Sequence, residues 1–543
     1  MRDISLRHIW ILSVLCGFLY FAGNSSLSLT DPDEVFYSLT AREMSAKGDA
    51  LTPTIFDQPQ FEKPVLIYWL LNIASAFFGP TPFAARFFPA VFAGLGVLGL
   101  YFLACLGFKD EQRAFWSAVA LATAGFYFAL AKTVFTDMVF SVFILYSLLF
   151  FYYAFDQPGR IREGILGFYF FAALAALTKG PLGLLIPGLA ATLFLTYRGQ
   201  LHWLRDRRVM TGFLLCLALV LPWYVFMAAQ YGNAFIHEFF INDHWRRLIE
   251  AEHKGNDRWF FYPATILGGM FPWTFFVAAG FSGIYRRLKD RPGVFDHFLL
   301  SWFLVVFVIF QCAHSKLSSY ILPVFPVLAL LAGDVIGRQR GIRVMLLVMA
   351  GLFALLGMAF LACRHLYQPY VPSPLPGYFL SALFITWGGC IATLVLKEKL
   401  KRALSVLALI GVPFLIALFL LRYDIEPYVS SYSAAQYLPR EGVYKTTILS
   451  SKPWARGLRF YTGQDIAVMD INGSNYFSPH PIPILNTLDK VKGFLREQKR
   501  TYAVLKKGAY NTLSTLDPAH FKVALLGRCG LEYVLTVEYL GNS

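Results

Sequence analysis

The chain has 543 residues, of which 57% are hydrophobic, 17% aromatic and only 15% charged, with a mean hydropathy of +0.53. Soluble domains carry about a quarter charged residues, so this composition excludes a soluble globular enzyme and implies a chain that crosses a membrane many times. The formal net charge of +15 concentrates in alternate loops, which makes it a signature of topology and not of nucleic-acid binding.

Apolar runs long enough to cross a hydrocarbon core about 30 Å thick lie near 8–24, 83–105, 113–130, 134–154, 163–177, 181–197, 210–229, 261–283, 296–312, 319–336, 343–361, 376–396 and 403–421, thirteen in all. The first, from His8 to Gly23, is long and aromatic for the core of a signal peptide and lacks a small-x-small cleavage site, so it reads as a retained span. A further run, "PVLIYWLLNIASAFFG" at 64–79, is shorter and sits between polar, Pro-marked segments. It reads as an amphipathic helix lying in the interface.

With that segment not crossing, the N-terminus shares a side with the loops rich in Lys and Arg: Lys109 and Arg113, Arg160 and Arg162, then the stretches 198–208, 286–291, 338–343 and 397–402. The short loops opposite hold single cations, Lys132, Lys179, Lys316 and Arg364. The positive-inside rule therefore places the N-terminus in the cytoplasm and the long loops outside. Those are residues 25–82, residues 230–260 and everything from 422 onward. Residues 1–421 read as the membrane domain. Residues 422–543 read as a small periplasmic α/β domain, with strands in "TTILSS", "LRFYTG", "DIAVMD", "TYAVLKK", "FKVALLG" and "EYVLTVEY" and a helix near 486–499. The seven cysteines are scattered over spans and tail and suggest no disulfide framework.

The outer side also collects the unusual charges. "DPDEVFYSLTAREMSAKGD", residues 31–49, brings Asp31, Asp33, Glu34 and Glu43 to the membrane edge, and Asp137 opens the fourth span on the same face. Asp31, before Pro32, reads as a turn or capping residue. Asp33 and Glu34 are adjacent like charges, more than a cap requires. At the same depth stand Glu62 and Lys63, Lys179, His314 and Lys316, and the run "INDHWRRLIEAEHKGNDRWFFYP" with His244, Arg246, Arg247, His253, Lys254 and Arg258. A single cation there is an ordinary interfacial anchor. Together, outside and against the positive-inside trend, they imply an anionic ligand such as the phosphate of a lipid carrier. A transporter would place ionisable groups near span centres and show inverted repeats, and neither pattern is present.

The segments "PDEVFYSLTAREMSAKGD", "FEKPVLIYW", "TDM", "LTKGPLG", "DH…EHKGNDRWFFY" and "SKLSSYILP", in this order, resemble the bacterial GT-C glycosyltransferases related to 4-amino-4-deoxy-L-arabinose lipid A transferase and, more distantly, protein O-mannosyltransferases. The resemblance implies a GT-C fold with about thirteen spans and an inverting transfer at the periplasmic leaflet. It further implies an undecaprenyl-phosphate sugar as donor, lipid A or another surface glycan or protein as acceptor, and a monomer among membrane lipids. It assigns catalysis to Asp33 and Asp137, with Glu34 beside them, and donor phosphate to Lys63, helped by Arg258, Lys179 and Lys316. It also implies a divalent metal, such as zinc, on Glu62 with His253 or His244. Asp33 serves as general base if the acceptor is a hydroxyl and orients the substrates if it is a phosphate. Where the family pattern reads "DETRYAEI" and "EKPP", this chain has Phe36 in place of the Arg, Leu39 in place of the Glu, and Val65 in place of the last Pro, so the identity of the sugar stays open.

Overall fold

The computed structural model describes residues 4–251, 254–290, 293–339, 341–439, 446–471, 473 and 482–541. Every predicted span is helical, but they are not alike. Nine helices among the described residues are long and apolar enough to cross a membrane alone, and a bent pair makes up to ten. The other predicted spans are the shorter helices Leu6–Phe21 and Leu182–Arg198 and a run that breaks in two, Glu111–Thr123 and Gly125–Leu130.

Two expected spans are therefore discontinuous, and they break against each other. The run expected at 261–283 is a pair, Phe261–Gly269 and Thr274–Asp290, bent by 115°. Pro272 in the break has no N–H to continue a helix. The other run breaks at Ala124, whose backbone is extended. Gly125 N donates to Phe271 O at 2.8 Å, and Trp273 Nε1 donates to Thr123 Oγ1 at 2.9 Å. Backbone groups freed by one break are thus satisfied by the other, as non-helical backbone at membrane depth requires.

The span predicted to end at 229 runs on as helix to Ile236, past a kink at Gly232, and continues as a π-helix over His237–Arg246. Part of the expected 230–260 loop is therefore wound, and this fixes the side chains that it carries. Helix Leu66–Phe78 has 13 residues, about 20 Å at 1.5 Å per residue and too short for a 30 Å core. It buries Ile67, Tyr68, Leu71 and Ala74 and leaves Phe77 80% exposed, the asymmetry of an interfacial helix.

Small residues let the bundle close. A Cβ on Gly333, in helix Phe325–Gly337, would lie 2.0 Å from Ser117 Oγ and 2.5 Å from Ser117 N, so glycine alone permits this approach.

The first outer loop forms a helix, Asp33–Lys47, and a short hairpin of β1 (Thr54–Ile55) and β2 (Gln58–Pro59). The last membrane helix reaches Val429, eight residues beyond the expected boundary at 421. The tail folds as a six-stranded sheet of β3 (Thr447–Ser450), β4 (Asp465–Met469), β5 (Ile484–Leu485), β6 (Arg500–Lys506), β7 (Phe521–Cys529) and β8 (Glu532–Tyr539). Its order is β5-β4-β3-β6-β8-β7, parallel from β5 to β6 and antiparallel through β8 and β7. The helix expected near 486–499 is Leu488–Gln498. "LRFYTG", read as a strand, belongs instead to helix Ala455–Thr462. Ala455, Leu458 and Thr462 are buried at helical spacing, and Gly463 closes the helix at φ 73°, donating to Arg459 O.

Gly333→Val is expected to lower the thermal midpoint of the detergent-solubilised protein, by the equivalent of about 1–3 kcal/mol of overpacking, while Gly17→Ala, with open space around it, leaves the midpoint in place. Thermal unfolding of both variants checks the contrast.

Candidate active site

The two acids after Pro32 part company. Both open helix Asp33–Lys47, where carboxylates suit the positive end of the helix, and Gly48 ends it in the left-handed region with its N–H on Met44 O and Ser45 O. Asp33 is exposed. Glu34 is wholly buried and held bidentately by Arg86, with Oε2 2.6 Å from Nη2 and Oε1 2.9 Å from Nε. Thr30 N and Val134 N donate to the same carboxylate at 2.9 and 3.0 Å. Burial pushes its pKa up, but the charge and hydrogen bonds of Arg86 outweigh that and hold Glu34 below the usual carboxylate range. Both carboxylate oxygens are thus committed to protein partners, which corrects the catalytic assignment of Glu34: it anchors the helix that presents Asp33.

Asp31 ties the same segment to the tail. Ser431 N donates to Asp31 Oδ2 at 2.7 Å, and a Cβ on Gly457 would lie 2.3 Å from Oδ1. Burial pushes the Asp31 carboxyl up to about 7 against the lowering effect of its hydrogen bonds from Ser431 and Gly457.

Asp137 and Asp33 approach the same phenol. Tyr37, one turn after Asp33, lies with its ring 6.5 Å from Phe135 and 6.3 Å from Tyr68. Its ionisation is pushed up first by burial, then by Tyr68, and further by the negative charges of Asp137 and Asp33. Asp137, buried, pairs closely with Lys179. Lys63, also buried, donates to Asp243 Oδ2 at 2.7 Å and to Glu62 O at 2.8 Å.

Asp243 is the residue that sequence reasoning missed. It lies in the π-helix and shares its other oxygen with Arg247 Nη1 at 3.0 Å. π-Helical turns concentrate at functional sites. The available signal was an acid, in "INDHWRR", set directly before the outer-face cations.

These pairs converge on Tyr320. Lys179 Nζ lies 4.0 Å from its ring centroid, and Arg247 Nη1 donates to its hydroxyl at 3.2 Å. Lys63, Lys179, Asp243, Arg247 and Tyr320 line one end of a cavity of about 490 Å³ whose remaining wall includes Leu182, Leu185, Val308 and Phe310. Leu185 and Val308 are 47% and 52% exposed on the apolar helices Leu182–Arg198 and Val294–Cys312, so this end of the cavity is apolar and open. The volume suits a headgroup with the start of an acyl or prenyl chain.

Other predicted residues lie apart. Lys316 donates to Asp257 Oδ1 at 2.6 Å, and Asp257 Oδ2 is 2.7 Å from His314 Nδ1, a cluster that ties two outer loops together. Arg258 is exposed, with its guanidinium 5.8 Å from the Phe260 ring. Arg247, and not Arg258, joins Lys63.

Of the residues expected to hold a metal, Glu62 has its Oε1 3.5 Å from Arg456, His244 has its Nδ1 2.7 Å from Phe239 O, and His253 lies outside the described residues. Among the described residues no three His, Cys, Asp or Glu side chains form a metal-binding group. His244 packs on Gly180. At φ 91°, a Cβ there would lie 2.4 Å from His244 Nε2, which explains the glycine after Lys179.

Residues 62–226 match the model of the dolichyl-phosphate-mannose-protein mannosyltransferase family. The chain is 28% identical over 362 residues to an undecaprenyl phosphate-alpha-4-amino-4-deoxy-L-arabinose arabinosyl transferase of Pseudomonas fluorescens, covering 65% of this chain and 61% of that one. It is 28% identical over 400 residues to the Pseudomonas aeruginosa counterpart, covering 71% of each. The fold matches the crystal structure of ArnT from Cupriavidus metallidurans bound to undecaprenyl phosphate, with a TM-score of 0.79, 20% identity and 98% of each chain covered. The architecture is that of a multi-pass membrane protein with the fold of that ArnT structure. In sequence and in fold the chain is similar to these arabinosyl transferases, the resemblance that its motifs carry.

Glu34→Gln is expected to cost about 3–5 kcal/mol, since it leaves Arg86 buried without its charge partner, whereas Asp33→Asn, on an exposed side chain, is expected to cost much less, about 0.3–1 kcal/mol for the charge lost at the helix start. Asp31 has the opposite sign from Glu34. A carboxyl raised on folding stabilises fully below its ordinary value of 3.8, and that contribution is lost as pH rises through about 7. Asp31→Asn should therefore flatten the fall in thermal midpoint between about pH 4 and pH 8 relative to wild type, a difference measurable by scanning fluorimetry.

Proposed function

We propose that this chain transfers a sugar, 4-amino-4-deoxy-L-arabinose or a relative, from undecaprenyl phosphate to lipid A at the periplasmic leaflet of a bacterial inner membrane. The observation that carries the reading is the pair of buried lysines, Lys63 and Lys179, meeting at one end of a cavity whose other end is apolar and open. The orientation follows from the charge of the loops.

In this reaction the bond from the sugar's anomeric carbon to the carrier phosphate breaks, and a bond from that carbon to an acceptor oxygen forms. The electron pair of the broken bond leaves with undecaprenyl phosphate. Lys63 and Lys179, with Arg247, stabilise the negative charge that grows on the phosphate. Asp243 and Asp137 hold those lysines in place and keep the cluster near neutral before the phosphate arrives. The sugar gains oxocarbenium character, which a carboxylate nearby stabilises. Attack from the face opposite the leaving phosphate inverts the anomeric centre. Asp33, exposed on the helix that Glu34 anchors, takes the proton of a hydroxyl acceptor; against an acceptor phosphate, already ionised, it orients the reactants.

Purified protein in lipid vesicles, given the undecaprenyl-phosphate-linked sugar and lipid A, is expected to shift lipid A by the mass of a pentosamine. Asp33→Asn should slow turnover by about 10²–10⁴-fold, and Lys63→Ala should weaken undecaprenyl phosphate binding with the fold intact. Turnover from a nucleotide sugar without the lipid carrier would overturn the reading. A cysteine placed at Asp517, exposed on the tail domain, should be labelled from outside intact spheroplasts. Protection there would reverse the orientation.

A further inference from the structure

The candidate active site lies at one end of the span Ser318–Gly337, where Tyr320 stands. The other end of that 20-residue span, about 30 Å away at 1.5 Å per residue, borders a second cavity that the reaction above does not use. Its volume is about 520 Å³. It opens where the end of Ser318–Gly337 meets the first residues of the spans Ile342–Ala362 and Leu400–Val429, with Gly337, Ile342 and Leu400 in its wall. The charge of the loops puts this face in the cytoplasm.

The buried lining of the cavity is apolar and its exposed lining is basic. Ile342 and Leu404 are only 3% and 2% exposed, and the half-buried Trp116 of helix Glu111–Thr123 joins them. Lys399, Lys401 and Arg402, all exposed, line the same space. Backbone bonds fix the turn that carries them: Glu398 stands at φ 56°, its N–H donates to Val395 O at 3.0 Å, and Lys399 N donates to Leu394 O at 2.8 Å.

These three cations differ from others on their face. Arg113, Arg287 and Arg338 share Asp334, and Lys109 pairs with Asp156. Among the described residues, Lys399, Lys401 and Arg402 pair with no carboxylate, and the acid beside them in the lining, Glu398, faces Arg343 at 4.0 Å. Helix Leu400–Ala408, which they open, has no acidic residue in its first turn, so the positive end of the helix adds to their field. Like charges held together repel, and an anion placed among them reverses the sign of that energy. Topology alone asks only that cations stand on the inner side. It does not ask them to share a cavity with buried apolar side chains and a tryptophan.

We propose that this cavity binds the phosphodiester headgroup of an anionic phospholipid of the cytoplasmic leaflet. The inference stands independently of the transferase reading. Lys399, Lys401 and Arg402 hold the phosphate by charge-assisted hydrogen bonds, and the glycerol and first acyl carbons lie toward Ile342 and Leu404. Trp116 sits at the headgroup level, where an amphipathic ring is favoured. Basic pockets between membrane helices on this side take lipid headgroups of this charge. A water-soluble phosphate has no use for the apolar part of the lining.

The test uses the full-length protein in phosphatidylcholine nanodiscs, with phosphatidylglycerol as the probe. The first readout is quenching of Trp116 by acyl-brominated lipid, taken as the difference between wild type and Trp116→Phe. Brominated phosphatidylglycerol is expected to reach half-maximal quenching at a mole fraction about fivefold or more below that of brominated phosphatidylcholine. Equal quenching by the two lipids overturns the proposal with every cation in place. The second readout is that preference in charge variants. Lys399→Gln, Lys401→Gln and Arg402→Gln combined should abolish it, while Arg205→Gln, Arg207→Gln and Arg208→Gln combined, the same loss of charge from exposed positions on the same face, should keep it. Loss of the preference in both sets makes the attraction a property of the whole face and overturns the proposal, and so does its retention in both. Glycerophosphoglycerol, the same headgroup without chains, is expected to leave the quenching in place when added in excess; relief of the quenching assigns the cavity to a soluble phosphodiester and overturns the lipid.

Discussion

The buried pair of Glu34 and Arg86 is the constraint on which the outer face depends. Arg86 spends its remaining N–H groups on Asn24 O, Leu27 O and Ser28 O at 2.7–2.9 Å, so one side chain gathers the whole connection between the first membrane helix and the helix at Asp33. Desolvating two charges is expensive, and such a pair is weak evidence for net stability. Its value here is positional: the connection that leads into helix Asp33–Lys47 acquires one conformation. Asp33 then has a fixed direction because its neighbour has none to spare.

From that anchor the site is assembled by parts far apart in the chain. The lysines come from the first loop and from the end of helix Ile161–Lys179, the carboxylates that hold them come from helix Thr136–Asp156 and the π-helix, and Tyr320 comes from a 3₁₀ turn over Ser318–Val324. Each lysine has a partner on another element. A cation so paired is preorganised, and the reaction does not wait for a long side chain to find its place. The tail domain covers this assembly through Asp31, Arg42, Asp57 and Glu62, all in the first loop, so loop and domain form one cap.

Much of this was legible in the residues. Apolar runs located the helices because backbone in lipid must satisfy itself, and the cations against the charge trend include Lys63, Lys179 and Arg247, which line one end of the cavity. What stayed hidden depended on partners distant in sequence. "DE" at 33–34 looks like two equivalent acids, and only Arg86, fifty-two residues on, separates anchor from reactant. Asp243 looks like a loop residue until the helix runs through Ile236 and turns π-helical. The break at Pro272 was visible as a proline, but its match with the break at Ala124 was not. "LRFYTG" alternates enough to pass for a strand, yet its burial follows helical spacing, with Ala455, Leu458 and Thr462 inward. Arg258 and Arg247 are both plausible by composition, and the winding of the chain between them decides which reaches Lys63.

The apolar opening at Leu185 and Val308 has a kinetic meaning. A substrate entering there never dissolves in the aqueous phase: it arrives by two-dimensional diffusion within one leaflet, and its effective concentration is a surface density. Saturation then depends on the mole fraction of carrier in the membrane and not on the volume of buffer. Two preparations with equal bulk molarity and different lipid-to-protein ratios are, to this protein, different substrate concentrations. Dilution with inert lipid becomes a form of competition without any competing ligand.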